Sequence, residues 1–206
     1  MKHETLIRQL TLSEKCALLS GKDVWHTKGV ERLGIQPVCL SDGPSGVRKQ
    51  AGRGDRLGQH ESLPATCWPT AATLANSWSP ELCAKVGAAL GQEAAAQGVG
   101  VLLAPGLNIK RSPLGGRNFE YYSEDPYLAG KMAAAFIRGV QNQGVAACPK
   151  HLAANNQELL RMNSDSEVDE RTLREIYLTN FEIAVTEGRP KAIMTAYNRV
   201  NGGLRQ

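Results

Sequence analysis

The chain has no apolar run approaching the roughly 18 residues of a membrane-spanning helix, so no membrane span is expected. Its N-terminus, MKHETLIRQL, is charged where a secretion signal would be apolar, which predicts a cytoplasmic protein. There is no CxxC pair and the four histidines lie far apart, so zinc-binding patterns are not met and no metal is expected. The five cysteines (Cys16, Cys39, Cys67, Cys83, Cys148) are odd in number, widely spaced and mostly inside apolar stretches. They read as reduced, buried thiols. A net charge of +4 comes without a basic block, which argues against a nucleic-acid partner. Low-complexity tracts and domain linkers are missing too. What remains is an ordinary globular composition, 42% hydrophobic over 206 residues, enough for one substantial core.

Three segments share one plan. In SPELCAKVGAALGQEAAAQG, Ser79 is a candidate N-cap, Pro80 takes the first helical position and Gly98 stops the helix before the apolar run VGVLLAP. DPYLAGKMAAAFIRGVQNQG repeats this with Asp125, Pro126 and Gly144, ahead of VAACP. DERTLREIYLTNFEIAVTEG runs from Asp169 to Gly188 and precedes KAIMTAYN. The unit recurs about every 45 residues, and a long helix between short two-sided apolar strands is the βα signature of a parallel sheet. An earlier strand is read at Val38 to Ser41, after an N-terminal helix with Thr11 and Glu14 as a capping box and Gly21 as its stop. That makes about four βα strands in an α/β fold. Between Gly43 and Thr66 lies a long glycine-rich loop of the kind compact domains keep for function or motion. CWPTAATLANSW, after it, is apolar enough to be packed.

Ligands of parallel α/β folds sit at the carboxyl ends of the strands. The first strand there ends in Asp42, and the second runs into a stretch with Asn108, Lys110, Arg111, Arg117 and Glu120. The third ends in Lys150 and His151, trailed by Asn155, Asn156, Gln157, Glu158 and Arg161; the fourth ends in Tyr197 and Asn198. Carboxylate, cations, amides and a tyrosine suit a polyhydroxylated ligand, since charge-assisted bonds to hydroxyls are worth about 1.5 to 3 kcal/mol each. They would suit a phosphate as well, although no P-loop occurs and GRGDRLG is not bracketed by a strand and a helix. Plainer readings stand beside these. Asp42 before Gly-Pro shapes a turn; Arg117 and Glu120 form a surface ion pair worth little; Lys150 and His151 are a solvated strand end; Tyr197 is a core aromatic.

The stretches GVERLGIQPVCLSDGPSGVR, PATCWPTAATLANSW, GVLLAPGLNIKRSPLGGRNFEYYSEDPYLAG, GVQNQGVAACPKHLAANNQE, DERTLREIYL and AIMTAYNRVNG resemble, in order and over nearly the whole chain, glycoside hydrolase family 3 in its β-glucosidase branch. The resemblance implies residues 1–206 to be the N-terminal portion of a (β/α)8 domain, a partial TIM-type barrel open at its C-terminal edge. It implies Asp42, Arg117, Lys150, His151, Arg161 and Tyr197 as binding residues for a terminal β-glucosyl unit, with no cofactor. The substrate would be a β-glucoside or short β-linked oligosaccharide, hydrolysed with retention by two carboxyl groups.

The family's nucleophile sits in an SDW-like motif one strand further on, and its acid/base in a later domain. Both are expected beyond Gln206, which makes the remainder of the parent enzyme the implied partner and the isolated chain inactive. Asp165, Asp169 and Glu170 are read as the start of a helix, where acidic residues favour the dipole. A half barrel exposes an edge at AIMTAYN, predicting aggregation or dimerisation when alone. The competing reading is a non-catalytic sugar-binding half-barrel or one subunit of a split enzyme. Adhesion through Arg53-Gly54-Asp55 is a chance-level tripeptide match.

Successive side chains on a regular strand point to opposite faces, so Lys150 and His151 should not both reach one ligand. Because the resemblance assigns both to the sugar, the backbone there is predicted to carry a bulge, a sharp twist or a non-prolyl cis peptide bond.

Overall fold

The computed structural model describes residues 3–52, 54–55 and 60–204. Two short helices, α1 (Glu4–Gln9) and α2 (Leu12–Leu18), open the chain. The Thr11 hydroxyl accepts from the Glu14 amide while the Glu14 carboxylate accepts from the Thr11 amide, the reciprocal cap that the sequence predicts. The helix ends at Leu18, short of the expected stop at Gly21.

The parallel sheet is built from β1 (Leu40–Ser41), β2 (Val101–Leu102) and β3 (Ala146–Ala147), with Leu40 beside Val101 and Val101 beside Ala146. The ladder continues past β3. The Cys148 amide donates to the Leu102 and Ala104 carbonyls and the Lys150 amide to Pro105, leading into β4 (Lys150–Leu152). There β6 (Met194–Thr195) joins in parallel, Lys150 opposite Met194. A small second sheet was not foreseen: β5 (Asp165–Ser166) lies parallel to β7 (Arg199–Val200), which turns back into β8 (Gly203–Leu204). Asp165 is therefore a strand residue whose carboxylate accepts from the Gly202 amide, not part of a helix start.

Between β1 and β2 lie α3 (Ala71–Asn76) and α4 (Pro80–Ala96); α5 (Pro126–Gln141) follows β2. The caps are those expected: the Ser79 hydroxyl accepts from the Leu82 amide, and the Asp125 carboxylate from the Tyr127 and Leu128 amides. Gly98 and Gly144 follow the two helices at φ +71° and +82°, which a side chain would resist. Residues 170–188 form one helical run capped by Asp169, in which α6 (Glu170–Thr172) and α7 (Thr179–Ile183) alternate with π-helical turns.

The core gathers on α5, whose Met132, Phe136, Ile137 and Val140 are buried with Leu90 of α4, Leu102 of β2 and Phe181 of α7. Two backbones nearly touch there. A Cβ on Gly139 would lie 2.3 Å from the Ala84 carbonyl oxygen, and one on Gly87 2.5 Å from that of Phe136. Only glycine permits that approach. In the segment 67–78, Ala71, Leu74 and Ala75 are buried as expected, but Trp78 is 73% exposed. All five cysteines are free; Cys83 and Cys148 are buried and Cys39 is half-buried, whereas Cys67 is exposed and Cys16 lies in the open on α2, a helix that buries none of its residues.

Candidate functional site

Four strand ends converge. Asp42 follows β1, and the segment after β2 supplies Asn108, Arg117, Glu120 and Tyr121. Lys150 and His151 belong to β4, and Asn155, Glu158 and Arg161 come after it. Tyr197 follows β6. Gly106 bridges both Tyr121 and Lys150, and so seats the 117–121 stretch alongside β4.

At the centre, Lys150 Nζ donates to Asp42 Oδ1 at 3.0 Å and lies 3.4 Å from Glu120 Oε2. The other Glu120 oxygen accepts from Arg117 Nε. Glu120 and Lys150 have side chains only 2% and 3% exposed, so a carboxylate and an ammonium share a site with little water and need each other there. Asp42 is part-exposed at 39%, the open side of the same ion cluster. Burial opposes the charge on Arg117, but Glu120, Tyr121 and Glu158 outweigh it and hold the guanidinium above its ordinary range. Asp42, Arg117, Glu120 and Lys150 line a cavity of about 540 Å³, walled by Val47, Leu63 and Phe119. Its rim is the start of the glycine-rich loop. Gly43, at φ +122°, would place a Cβ 1.8 Å from the Gly46 carbonyl oxygen, so this turn is closed to any other residue.

A second cluster adjoins it. Asn108 accepts from the His151 amide and donates to the His151 carbonyl, both at 2.8 Å, pinning the backbone of that residue on two sides. The His151 ring meets Tyr121, whose hydroxyl lies 3.2 Å from Nδ1. Asn155 Nδ2 donates to the Tyr121 oxygen at 3.3 Å and to Glu158 Oε1 at 3.1 Å, and Arg161 donates to the other Glu158 oxygen at 2.8 Å. The Arg161 guanidinium covers the Tyr197 ring, 5.1 Å from its centre. Burial, with Arg117, Lys150 and Arg161 acting on the ring, pulls the His151 pKa down to about 2, so the imidazole is neutral.

All six sequence-predicted residues thus fall in one connected network: Asp42, Arg117 and Lys150 on the cavity, His151, Arg161 and Tyr197 tied to them through Tyr121, Asn155 and Glu158. The strand irregularity is present as well. The register shifts between Lys150 and Leu152, and the Lys150–His151 peptide bond is cis, as is Leu152–Ala153. Three plainer readings are overturned. Arg117 and Glu120 are no surface pair, because Glu120 is 1% exposed; Lys150 and His151 are buried at 2% and 5%; Tyr197 is 58% exposed beneath Arg161 instead of in the core. For Asp42 the turn reading holds, since its carbonyl accepts from the Arg48 amide at 2.9 Å, while the residue also lines the cavity. Lys110 and Arg111 are not among the residues lining the cavity; burial lowers the amine pKa of the first, and the second is exposed. Arg53 lies outside the described residues; Asp55 accepts from the His60 amide, and its own amide donates to Gln50.

Sequence reasoning noted Glu120, Asn108, Asn155 and Glu158 as strand-end polar groups but did not select them, and it missed Tyr121. Their signal is modest: polar residues embedded between apolar ones in NIKRSPLGGRNFEYY and HLAANNQE.

The profile of the glycosyl hydrolase family 3 N terminal domain matches residues 45–204. A thermostable β-glucosidase B from Acetivibrio thermocellus is 59% identical over 197 residues, covering 96% of this chain and 26% of its own length. An exo-α-(1→6)-L-arabinopyranosidase from Bifidobacterium longum is 51% identical, with 95% and 26% covered. Among solved structures, β-glucosidase 3B from Thermotoga neapolitana in complex with glucose superposes with a TM-score of 0.90 at 45% identity, over 98% of this chain and 30% of that one. The Kluyveromyces marxianus β-glucosidase in complex with glucose gives 0.91 at 44%, over 97% and 23%. The chain spans about a quarter of the length of the curated relatives it matches.

Proposed function

The chain belongs to glycosyl hydrolase family 3, and from that premise we propose that it forms the glycone-binding part of a β-glucosidase acting on terminal non-reducing β-D-glucosyl residues. The observation that carries this reading is the buried ammonium of Lys150 shared between Glu120 and the part-exposed Asp42 on the wall of a cavity. An ion cluster built on one side and open on the other offers a carboxylate acceptor and cationic donors to neighbouring hydroxyls. Two solved structures of 44–45% identity, both complexes with glucose, superpose over 97–98% of this chain.

In the proposed architecture the parallel strands are about four of the eight units of a TIM-type barrel, in a cytoplasmic enzyme. The nucleophile and acid/base come from residues beyond Gln206. Each carboxylate of the cluster has cationic neighbours at its oxygens, Asp42 and Glu120 through Lys150 and Arg117 and Glu158 through Arg161. These carboxylates are already engaged in ion pairs, and on this reading residues 1–206 alone bind sugar without turnover. Hydrolysis of a chromogenic β-glucoside by the isolated chain, well above a lysate control, would overturn that part and favour a self-contained catalyst.

The Bifidobacterium relative gives a second reading, an α-L-arabinopyranosyl unit in the same cavity. Calorimetric titration with glucose and with arabinose separates the two. On the first reading glucose binds more tightly, and Asp42→Asn weakens it about tenfold or more, as loss of a charge-assisted bond implies. Equal affinity of the parent and Asp42→Asn proteins for both sugars would remove Asp42 from the binding site.

A further inference from the structure

We infer that Tyr121, oriented by Asn155 and Glu158, is a positioning residue that fixes His151 as the tautomer protonated on Nε2, so that the free edge of the ring is always a hydrogen-bond donor. The inference begins at Glu158. Its Oε2 accepts from Arg161 and its Oε1 from Asn155, and a carboxylate has only acceptors to offer, so the amide of Asn155 must turn its nitrogen that way. The same nitrogen then donates to the Tyr121 oxygen at 3.3 Å. A tyrosine hydroxyl has one proton, and here burial raises the Tyr121 pKa and keeps that proton in place. With its oxygen already receiving from Asn155, the hydroxyl donates to the atom 3.2 Å away, His151 Nδ1. Nδ1 is thereby the acceptor and Nε2 carries the hydrogen.

The two alternatives are both costly. With hydrogen on Nδ1, the Tyr121 oxygen would receive two donors while its own proton, in a residue 2% exposed, lost the acceptor it has. With both nitrogens protonated, the imidazolium would face the cations of Arg117, Lys150 and Arg161 with no carboxylate in direct contact with the ring among the described residues. Donation therefore converges on Glu158 from Arg161 and Asn155, and from Asn155 it runs one way through Tyr121 to the imidazole. On the glycoside-binding reading, on which the identity of the ligand rests, His151 Nε2 gives its hydrogen to a hydroxyl oxygen of the glycone and does not accept from one.

The test is a two-bond 1H–15N correlation spectrum of the protein labelled at histidine nitrogen. The chain has four histidines, so the signals missing in His151→Gln identify the ring. The expected pattern is that of a neutral imidazole with hydrogen on Nε2. In Tyr121→Phe the pattern moves toward a mixture of tautomers and glucose binds about three- to tenfold more weakly, the loss of one neutral hydrogen bond. Asn155→Asp turns an acceptor toward Tyr121, which reverses the chain and moves the hydrogen to Nδ1. A hydrogen on Nδ1 in the unsubstituted protein, or an imidazolium pattern at neutral pH, overturns the inference whether or not either variant folds. Adding glucose separates the two claims. If the Nε2–H pattern is present and glucose leaves the His151 signals unmoved, the sugar reading fails and the tautomer stands. If glucose moves the signals of an Nδ1–H ring, the tautomer fails and the sugar reading stands.

Discussion

Replacing Glu120 by glutamine removes one negative charge and keeps the shape of the side chain. Glu120 lies between Arg117 Nε and Lys150 Nζ, with its own side chain 2% exposed, Lys150 3% and Arg117 20%. Breaking a buried pair by removing one partner costs about 3 to 5 kcal/mol, because the remaining charge stays buried without compensation. Here two features reduce that figure. Lys150 keeps Asp42 at 3.0 Å, and the glutamine carbonyl can still accept one of the two bonds. A loss of about 2 to 3 kcal/mol is expected, read as a lower urea midpoint at unchanged slope. The exposed pair of Arg171 and Glu175, 83% and 60% open, is the internal control, and Glu175→Gln should cost less than about 0.5 kcal/mol. Raising the salt should shrink the control and leave the Glu120 effect nearly intact, since buried pairs are weakly screened. If Glu120→Gln and Glu175→Gln cost the same, the buried ion cluster does not hold this site together.

Three further outcomes follow from the same contacts. His151 has a folded-state pKa near 2 against about 6.5 for an unfolded histidine, so its contribution is complete above pH ~6.5 and is lost as pH falls below that value. Between pH 7 and pH 5 the unfolding free energy should drop by about 2 kcal/mol more in the parent than in His151→Gln, by paired denaturation curves. Gly139→Ala drives a methyl against the Ala84 carbonyl and the Ala88 amide, both backbone, and should cost about 1 to 3 kcal/mol, visible as a lowered Tm. Asp125→Ala removes the cap on the Tyr127 and Leu128 amides and should cost about 1 kcal/mol, with faster amide exchange confined to the first turn of α5.

The parts of the fold legible in the sequence were those fixed by local chemistry. Ser79-Pro80, Asp125-Pro126 and Asp169 start helices because their side chains cap amides a few residues on, and Gly98 and Gly144 follow α4 and α5 because the chain must adopt positive φ. The small sheet of β5, β7 and β8 was not legible, since two-residue strands leave no periodicity to read. The positions of Asp42, Arg117, Lys150, His151, Arg161 and Tyr197 came from strand ends and a family pattern. What joins them did not. Glu120 was weighed as a surface partner of Arg117 because three residues of separation says nothing about depth, and only the bridges of Gly106 to Tyr121 and Lys150 place it in the interior. Tyr121 stands among aromatic and polar neighbours with no spacing of its own to mark it. Its role depends on contacts 30 and 34 residues distant, with His151 and Asn155.

The most direct test of the proposed site is a crystal structure of the protein with glucose bound. The account predicts one pyranose in the cavity of about 540 Å³, its hydroxyls within hydrogen-bond reach of Asp42, Arg117 and Lys150, and His151 donating from Nε2. Glucose held elsewhere, with the Asp42–Lys150–Glu120 cluster untouched, would contradict it.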